Sequence, residues 1–469
     1  MNRTHAGAAA LALSALLAGC SMMPTYQRPQ APVPGNWAYA AAAEGTPAAA
    51  LDWQVFFGDE RLRALIAAAL RNNRDLRVAV LNIEQARAQY DIRSADRYPS
   101  VGAATAASRS PTSGGGTATS YTAGLLFSAW EIDFFGRIAS LSQAALAQYL
   151  ATEEGRKAAQ ISLVSSVANT WLNLVADEEL LALTRQTLAT REESVRLTRL
   201  RFENGVSSEL DFQQAQSLAA TARTALAQQQ RQRALDFNTL GLLLGEPAPP
   251  DTGGGTAIAS LVLPDLPAGI PSEVLVERPD VRQAEQQLVA ANANIGAARA
   301  AFFPRITLTA GVGTASSELS GLFRGGSWGL TAAPQLLLPI FDAGRNQAGL
   351  RSATVSREIA VAQYERSIQS AFREVSDALA GRATLADQLR AQNSVAEAEA
   401  VRLRLSTLRY DNGVSSYLEL LDAQRSLFTA RQAAIQTRLQ LLQNQVLLYR
   451  ALGGGWSGAS ASAATSTAR

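Results

Sequence analysis

The sequence predicts a mainly α-helical chain, built from one unit written twice, that contributes short β-strands to a transmembrane barrel. Three observations support this class: a long internal duplication, two long tracts without proline, and short segments between them that alternate apolar and small polar residues.

The duplication is legible directly. Residues 201–216 read RFENGVSSELDFQQAQ and residues 409–424 read RYDNGVSSYLELLDAQ. Asn204, Gly205, Val206, Ser207 and Ser208 therefore recur as Asn412, Gly413, Val414, Ser415 and Ser416 at an offset of 208. Leu240, Leu244 and Gly245 recur as Leu448, Leu452 and Gly453 at the same offset. Upstream, at an offset of 205, Asp75 and Arg77 match Asp280 and Arg282, and Tyr98-Pro99 matches Phe303-Pro304. A repeat of this length makes each half one structural unit and the whole chain one body of two equivalent halves.

All seventeen prolines fall in the N-terminal arm, in the linker between the repeats, or beside the segments around 99–111 and 304–339. Residues 112–246 and 340–469 contain none. Proline inside a helix costs about 3 kcal/mol, so both tracts are free to run as continuous helix. In the first, Ile161, Val164, Ala168, Trp171 and Val175 recur at spacings of three and four, the seam of a packed helix. Leu181, Thr184, Leu188, Val195 and Leu200 carry that face onward with gaps. The spacing predicts a helix from about Gly136 to Leu200, roughly 98 Å long at 1.5 Å per residue. Asn204-Gly205 ends it, and Ser207 or Ser208 caps a returning helix that reaches Gly245. The second half predicts the same: Asp342 as N-cap, a helix over about 344–408, a turn at Asn412-Gly413 and a return to Leu452. Such hairpins are far longer than a globular core requires.

The segments between the helices have period two. Ile306, Leu308, Ala310 and Val312 alternate with Thr307, Thr309, Gly311 and Gly313, and Trp328, Leu330 and Ala332 continue after a Gly/Ser-rich loop. Residues 101–108 and 121–132 form the matching pair in the first half, around a loop over 112–119. Segments of about ten residues with alternate apolar positions, and aromatics such as Trp130 and Trp328, carry the signature of membrane strands. Four strands cannot close alone, because the smallest membrane barrels have about eight and an open edge has no place in lipid. Several chains must then share one barrel, although the pattern does not choose three over two.

The first twenty residues supply an address. Arg3 and the thin apolar stretch 6–18 read as a signal peptide, too short to span a bilayer. Leu17-Ala18-Gly19-Cys20 has the form of a bacterial lipobox, which makes Cys20 the lipidated first residue of the mature chain. It is the one cysteine in 469 residues, so no internal disulfide is expected. His5, the one histidine, lies in the removed segment. The mature chain then lacks the usual metal ligands, the usual general base and the thiol nucleophile, which argues against an enzyme and against a cofactor. Net charge is +2 with no basic stripe, so nucleic acid is not an expected partner. Gly325-Gly326-Ser327-Trp328-Gly329 fits the nucleophile-elbow pattern, but it lies between two predicted strands and has no histidine to serve it.

Together these residues resemble the TolC-like outer membrane efflux family, and within it the lipoprotein branch typified by OprM and the NodT-like proteins. The stretches that carry the resemblance are Asp52-Trp53-Gln54 through Asp59, Asn73 to Arg77, Trp130 to Arg137, Leu263 to Pro267, Ile270-Pro271-Ser272 with Glu277 to Arg282, Pro339 to Arg345, and Leu420 to Arg425. They run in order over about residues 24–456. The resemblance implies a homotrimer with a twelve-stranded barrel and a twelve-helix periplasmic tunnel, anchored in outer-membrane lipid through acylated Cys20. It implies the exit channel of a tripartite pump of the resistance-nodulation-division type, which passes drugs or other small toxic compounds from the periplasm out of the cell. Its partners would be a periplasmic adaptor and an inner-membrane transporter. The alternative within the class is the duct of a peptide or protein exporter; a lipid-anchored coiled-coil adaptor would have one hairpin, not two.

The expected organisation is a signal peptide over 1–19, a lipidated arm over 20–60, and a first repeat over 61–246 with strand pair 99–132 and helical hairpin 136–245. An equatorial linker follows over 247–275, then a second repeat over 276–453 with strand pair 304–340 and helical hairpin 343–452, and a tail over 454–469. By the same resemblance the two turns meet the adaptor, through Asn204, Gly205, Val206 and Ser207 and through Asn412, Gly413, Val414 and Ser415. Leu418 and Asp422, one helical turn apart, match positions that close the tunnel, and Tyr410 matches one that ties the closed helices together. Three copies of Asp422 would raise one another's pKa; the first repeat has Leu210 and Gln214 in their place.

Overall fold

The computed structural model describes residues 21–39, 47–269 and 275–456, so the signal peptide, Cys20 and the tail beyond Trp456 lie outside the described residues. The elements follow the duplication. Two short helices, α1 (Trp53–Phe56) and α2 (Glu60–Asn72), lead into α3 (Arg74–Ala95), strands β1 (Val101–Pro111) and β2 (Thr117–Glu131), then α4 (Arg137–Glu203) and α5 (Glu209–Leu244). The second half repeats the order with α6 (Pro279–Ala300), β3 (Arg305–Ser316), β4 (Trp328–Leu337), α7 (Arg345–Asp411) and α8 (Tyr417–Ala451). Helices α4 and α7 each have 67 residues, α3 and α6 each have 22. At 1.5 Å per residue each long helix spans about 100 Å.

Two compact units emerge. Among the described residues, one gathers those over 21–30, 81–154 and 282–366; the other gathers those over 31–80, 155–281 and 367–456. The first holds the sheet, in which β1-β2-β3-β4 lie in sequence order and every pairing is antiparallel. Gly124 faces Gly313 in register, and a Cβ on Gly124 would lie 2.6 Å from the Gly313 Cα, so only glycine permits this approach. A bulge between Phe127 and Trp130, with Ala129 at φ +48°, shifts the register and bends β2. The loop expected over 112–119 is tighter: the Thr112 amide donates to Gly116 O at 2.9 Å, and Gly115 takes φ +80°. This closure lets β1 continue to Pro111 and β2 begin at Thr117.

Below the sheet, Glu131 accepts from Arg137 at 2.6 Å and pairs with Arg305 at 2.7 Å, which joins the end of β2 to the starts of α4 and β3. Ala144 and Ala147 of α4 pack on Ala290 and Ala293 of α6. Small residues at this seam let the two backbones approach. The arm is pinned along α6, where Tyr26 and Arg28 both donate to Glu285 and Asn292 donates to Pro24 O.

In the second unit Trp171, 1% exposed, donates from Nε1 to Thr252 O at 3.0 Å and so binds the linker to α4. Tyr449 stacks on Phe56 at 4.0 Å with a 6° interplanar angle, and its hydroxyl donates to Leu51 O at 2.7 Å. Burial, then the charge of Asp52, pushes the Tyr449 hydroxyl well above the ordinary tyrosine range, so it stays a donor. Buried Arg278 donates to Asp280, to Glu374 and to Ala451 O, leaving neither its charge nor the end of α8 unsatisfied.

Candidate functional site at the hairpin turns

The two helical hairpins turn with the same geometry. The long helix ends when Gly205 enters the left-handed region at φ +73°, and Gly413 does so at +71°. Val206 N donates to Arg201 O at 2.8 Å and Gly205 N to Phe202 O at 2.9 Å; Val414 N and Gly413 N make the same bonds to Arg409 O and Tyr410 O at the same lengths. This is a Schellman closure, which satisfies carbonyls that a helix end otherwise leaves bare. Asn204 and Asn412 add a side-chain bond each, from Nδ2 to Leu200 O and to Leu408 O, both at 2.7 Å.

The serines then start the return. Ser208 caps α5 in a reciprocal capping box with Asp211, while Ser207 Oγ donates to Asp211 Oδ2 at 3.1 Å. The second turn departs here. Ser416 occupies the N-cap of α8 without a side-chain bond, and the residue equivalent to Asp211 is Glu419, which pairs with Arg409 instead. Every repeated residue of the first turn has a local structural task except one. Val206 is 77% exposed and Val414 is 66% exposed, and the turn uses only their backbone.

The tip-closing candidates lie just beyond the second turn. Leu418 is 60% exposed, as is its counterpart Leu210 at 65%. Asp422 is not a free carboxylate: Arg402 of α7 donates to its Oδ2 at 2.5 Å and Arg425 donates to its Oδ1. The Arg402 hydrogen bond, followed by that of Arg425, holds Asp422 below the ordinary aspartate range. Within one chain the direction is thus set by Arg402, which the sequence pattern did not place across from it. Tyr410 accepts from Arg201 at 2.6 Å, and the guanidinium lies 5.3 Å from its ring centroid. Tyr410 also meets Tyr417 at 5.3 Å, and Tyr417 hydrogen-bonds Thr198 at 3.3 Å. Tyr410 and Tyr417 of the second hairpin are therefore both fastened to α4 of the first. Ala215, Tyr417, Leu420 and Leu421 form a small apolar core beneath.

The sequence reasoning missed Arg201, Arg402 and Arg425 as partners at the tip. Arg425 was within reach of a helical i,i+3 argument; the other two face their partners from different helices. Ser327 of the nucleophile-like pentapeptide donates its hydroxyl to Leu322 O and Arg324 O, so it holds a loop.

Among the described residues no helix is long and apolar enough to cross a membrane, whereas a four-stranded sheet joins paired, very long helical hairpins. The chain belongs to the outer membrane efflux protein family, whose model matches residues 65–246 and 270–454, one match per repeat. It is thus an outer-membrane protein of the efflux class. It is 47% identical over 453 residues to the probable efflux pump outer membrane protein TtgC of Pseudomonas putida, covering 94% of each chain. It is 46% identical over 465 residues to the outer membrane protein OprJ of Pseudomonas aeruginosa, covering 97% of each. Its fold matches the open state of the MtrE outer membrane channel of Neisseria gonorrhoeae with a TM-score of 0.87 at 40% identity, over 93% of this chain and 99% of that one.

Proposed function

We propose that this chain is the exit duct of a tripartite efflux pump of the resistance-nodulation-division type, in which three copies share one twelve-stranded barrel and one helical tunnel. The observation that carries this reading is the sheet itself. Among the described residues its outer strands β1 and β4 have no neighbour on one side, and an unpaired edge is untenable in hydrocarbon. A second observation supports the sharing. Val281, Leu288 and Ile295 of α6 are all buried, but their repeat equivalents Leu76, Ile83 and Tyr90 belong to α3, which buries none of its residues. A helix with the same pattern and no cover from the described residues of its own chain finds that cover on a second copy. The choice of three copies rests on the family resemblance.

Cys20 carries the acyl anchor. The turns at Asn204 to Ser207 and Asn412 to Ser415 receive a periplasmic adaptor that links the duct to an inner-membrane transporter. Val206 and Val414 are the contact side chains, because the turn fold gives them no other task. Leu418 and Asp422 close the tunnel and Tyr410 fastens the closed arrangement through Arg201. The duct itself performs no covalent chemistry; small toxic compounds pass through it.

Native mass spectrometry of the detergent-extracted protein tests the assembly. A trimer with both strand and dominant helix signals by circular dichroism is expected, and a stable monomer that keeps its strand signal would contradict the shared barrel.

A further inference from the structure

We propose that β4 of one copy pairs with β1 of the next in a single continuous register, with Ala333 opposite Ser108 of the partner subunit. The seam between copies then lacks the bulge that the seam inside each chain carries. This rests on the shared barrel and adds to it the strand contact through which the copies meet. Every residue of β1 and of β4 is exposed, as befits two edges that wait for each other. Gly102 to Ala107 carry nothing larger than threonine, which leaves room for the leucines of β4.

The duplication supplies the register. Strand β1 maps on β3 at an offset of 205, through Tyr98-Pro99 and Phe303-Pro304. Val101 pairs with Phe127, and its equivalent Ile306 pairs with Leu336, so β2 maps on β4 at an offset of 209. Past the strands, Gly136-Arg137 maps on Gly344-Arg345 at an offset of 208. The first half thus holds one residue more between Phe127 and Gly136. That residue is the bulge, where β2 takes three steps from Phe127 to Trp130 while β3 takes two from Ala310 to Leu308. Strand β4 lacks it. Carried to the next copy, the pair Phe127 and Ala310 becomes Leu336 and Thr105 of the partner subunit. Trp130 with Leu308 becomes Leu338 with Ala103 of the partner subunit. Two steps now answer two, and the ladder runs through. Gly124 and Gly313, which meet backbone to backbone inside the chain, become Ala333 and Ser108 of the partner subunit, so side chains hold this seam wider. The barrel therefore alternates bent seams with straight ones.

The faces of the sheet agree with this register independently. Val101, Phe127, Ala310 and Ala332 stand opposite one another across the four strands, on the face that also carries Ile306, Leu308, Val312, Leu330 and Leu336. Thr105, two residues from Ala103 and four from Val101, lies on that same face of β1. Setting it opposite Leu336 closes the apolar face on itself around the barrel. A slip of one residue would turn that face against the other one. A slip of two would keep the faces, and the duplication is what excludes it.

Pairs of cysteines in the full-length protein test the register. Residues directly opposite have Cα atoms about 4.5–5.5 Å apart, within disulfide reach, whereas a partner two residues along lies about 7–8 Å away, beyond it. Ala333→Cys is combined in turn with Ala106→Cys, Ser108→Cys and Ser110→Cys. Ala332→Cys is combined with Ala107→Cys, Arg109→Cys and Pro111→Cys, because neighbouring rungs differ in Cα separation. After mild oxidation in detergent, a covalent trimer on a non-reducing gel is expected from Ala333→Cys with Ser108→Cys, from Ala332→Cys with Arg109→Cys, or from both. It should be lost in the other four combinations, and mass spectrometry of the linked peptides should place each bond between the two introduced cysteines. A stronger covalent band from any of the other four overturns the register. So does the absence of any cross-link in a protein that native mass spectrometry shows to be trimeric, and in both cases the shared barrel stands. A monomer by native mass spectrometry overturns the shared barrel and the seam with it.

Discussion

Changing Val206 and Val414 together to Asp separates what the tip needs to fold from what it needs to dock. Both side chains are mostly exposed, and only their amides serve the turn, so the double variant should shift stability by no more than about 0.5 kcal/mol per site. Gly413→Ala is the internal standard. Its φ is +71° and nothing lies within 4 Å of an added Cβ, so its cost is purely that of the left-handed backbone, about 1–2 kcal/mol. Docking responds in the reverse order. An unpaired carboxylate in a desolvated contact costs at least about 2 kcal/mol, roughly thirtyfold in affinity per turn, whereas Gly413→Ala leaves the valine in place. Thermal unfolding in detergent reads the first quantity. Site-specific cross-linking to the adaptor, together with drug susceptibility of cells that depend on this duct, reads the second. Wild-type cross-linking and efflux in the Val206→Asp, Val414→Asp chain would refute the assignment of the turns to docking. An unfolding shift as large as that of Gly413→Ala would show that the valines hold the turn after all.

Other consequences are accessible to simpler measurements. Tyr449→Phe removes the bond to Leu51 O while keeping the stack on Phe56, and should cost about 1 kcal/mol in thermal stability; Tyr449→Ala also empties the stack and should cost about 3–5 kcal/mol. In planar bilayers, Leu418→Ala and Asp422→Ala should each raise single-channel conductance, and Asp422→Ala should also weaken block by divalent cations. Gln214→Ala should change that block far less, and equal effects at the two positions would place the charged closure elsewhere. Cys20→Ala should abolish incorporation of labelled palmitate while leaving the oligomer intact, because the barrel holds itself in the bilayer.

Much of the fold could be read before any coordinates, since it rests on local rules. Proline placement and the repeated Asn-Gly delimited helices that end at Glu203 and Asp411, within three residues of the expected Leu200 and 408. Alternation located the strands of the second half, and the duplication, with a weaker alternation, located the matching pair in the first. The bulge at Ala129 was not legible, because nothing in Ser-Ala-Trp announces a residue without a partner across the sheet. Pairings between distant residues were also hidden. Glu131 meets Arg305 across 174 residues, and Asp422 meets Arg402 from another helix. Each depends on which faces of two helices or strands come together, a property of packing and not of spacing along the chain. For Asp422 the Arg402 partner, with Arg425, sets the direction of its pKa within one chain.

The equal length of α4 and α7 makes the two hairpins a pair of matched rulers. One residue inserted into α4 alone would advance its turn by about 1.5 Å and swing every later side chain by about 100°. In the proposed ring of three copies that error would appear three times, alternating with unaltered hairpins, and the proposed docking partner could not meet both kinds at once. Changes of reach must therefore arrive as paired indels, one in each repeat, and in steps of about seven residues that return the apolar seam to its phase. A descendant of this duplication fitted to a wider or narrower compartment should carry its insertions twice, roughly two hundred residues apart, and a chain with one insertion should carry a compensating deletion in the same helix.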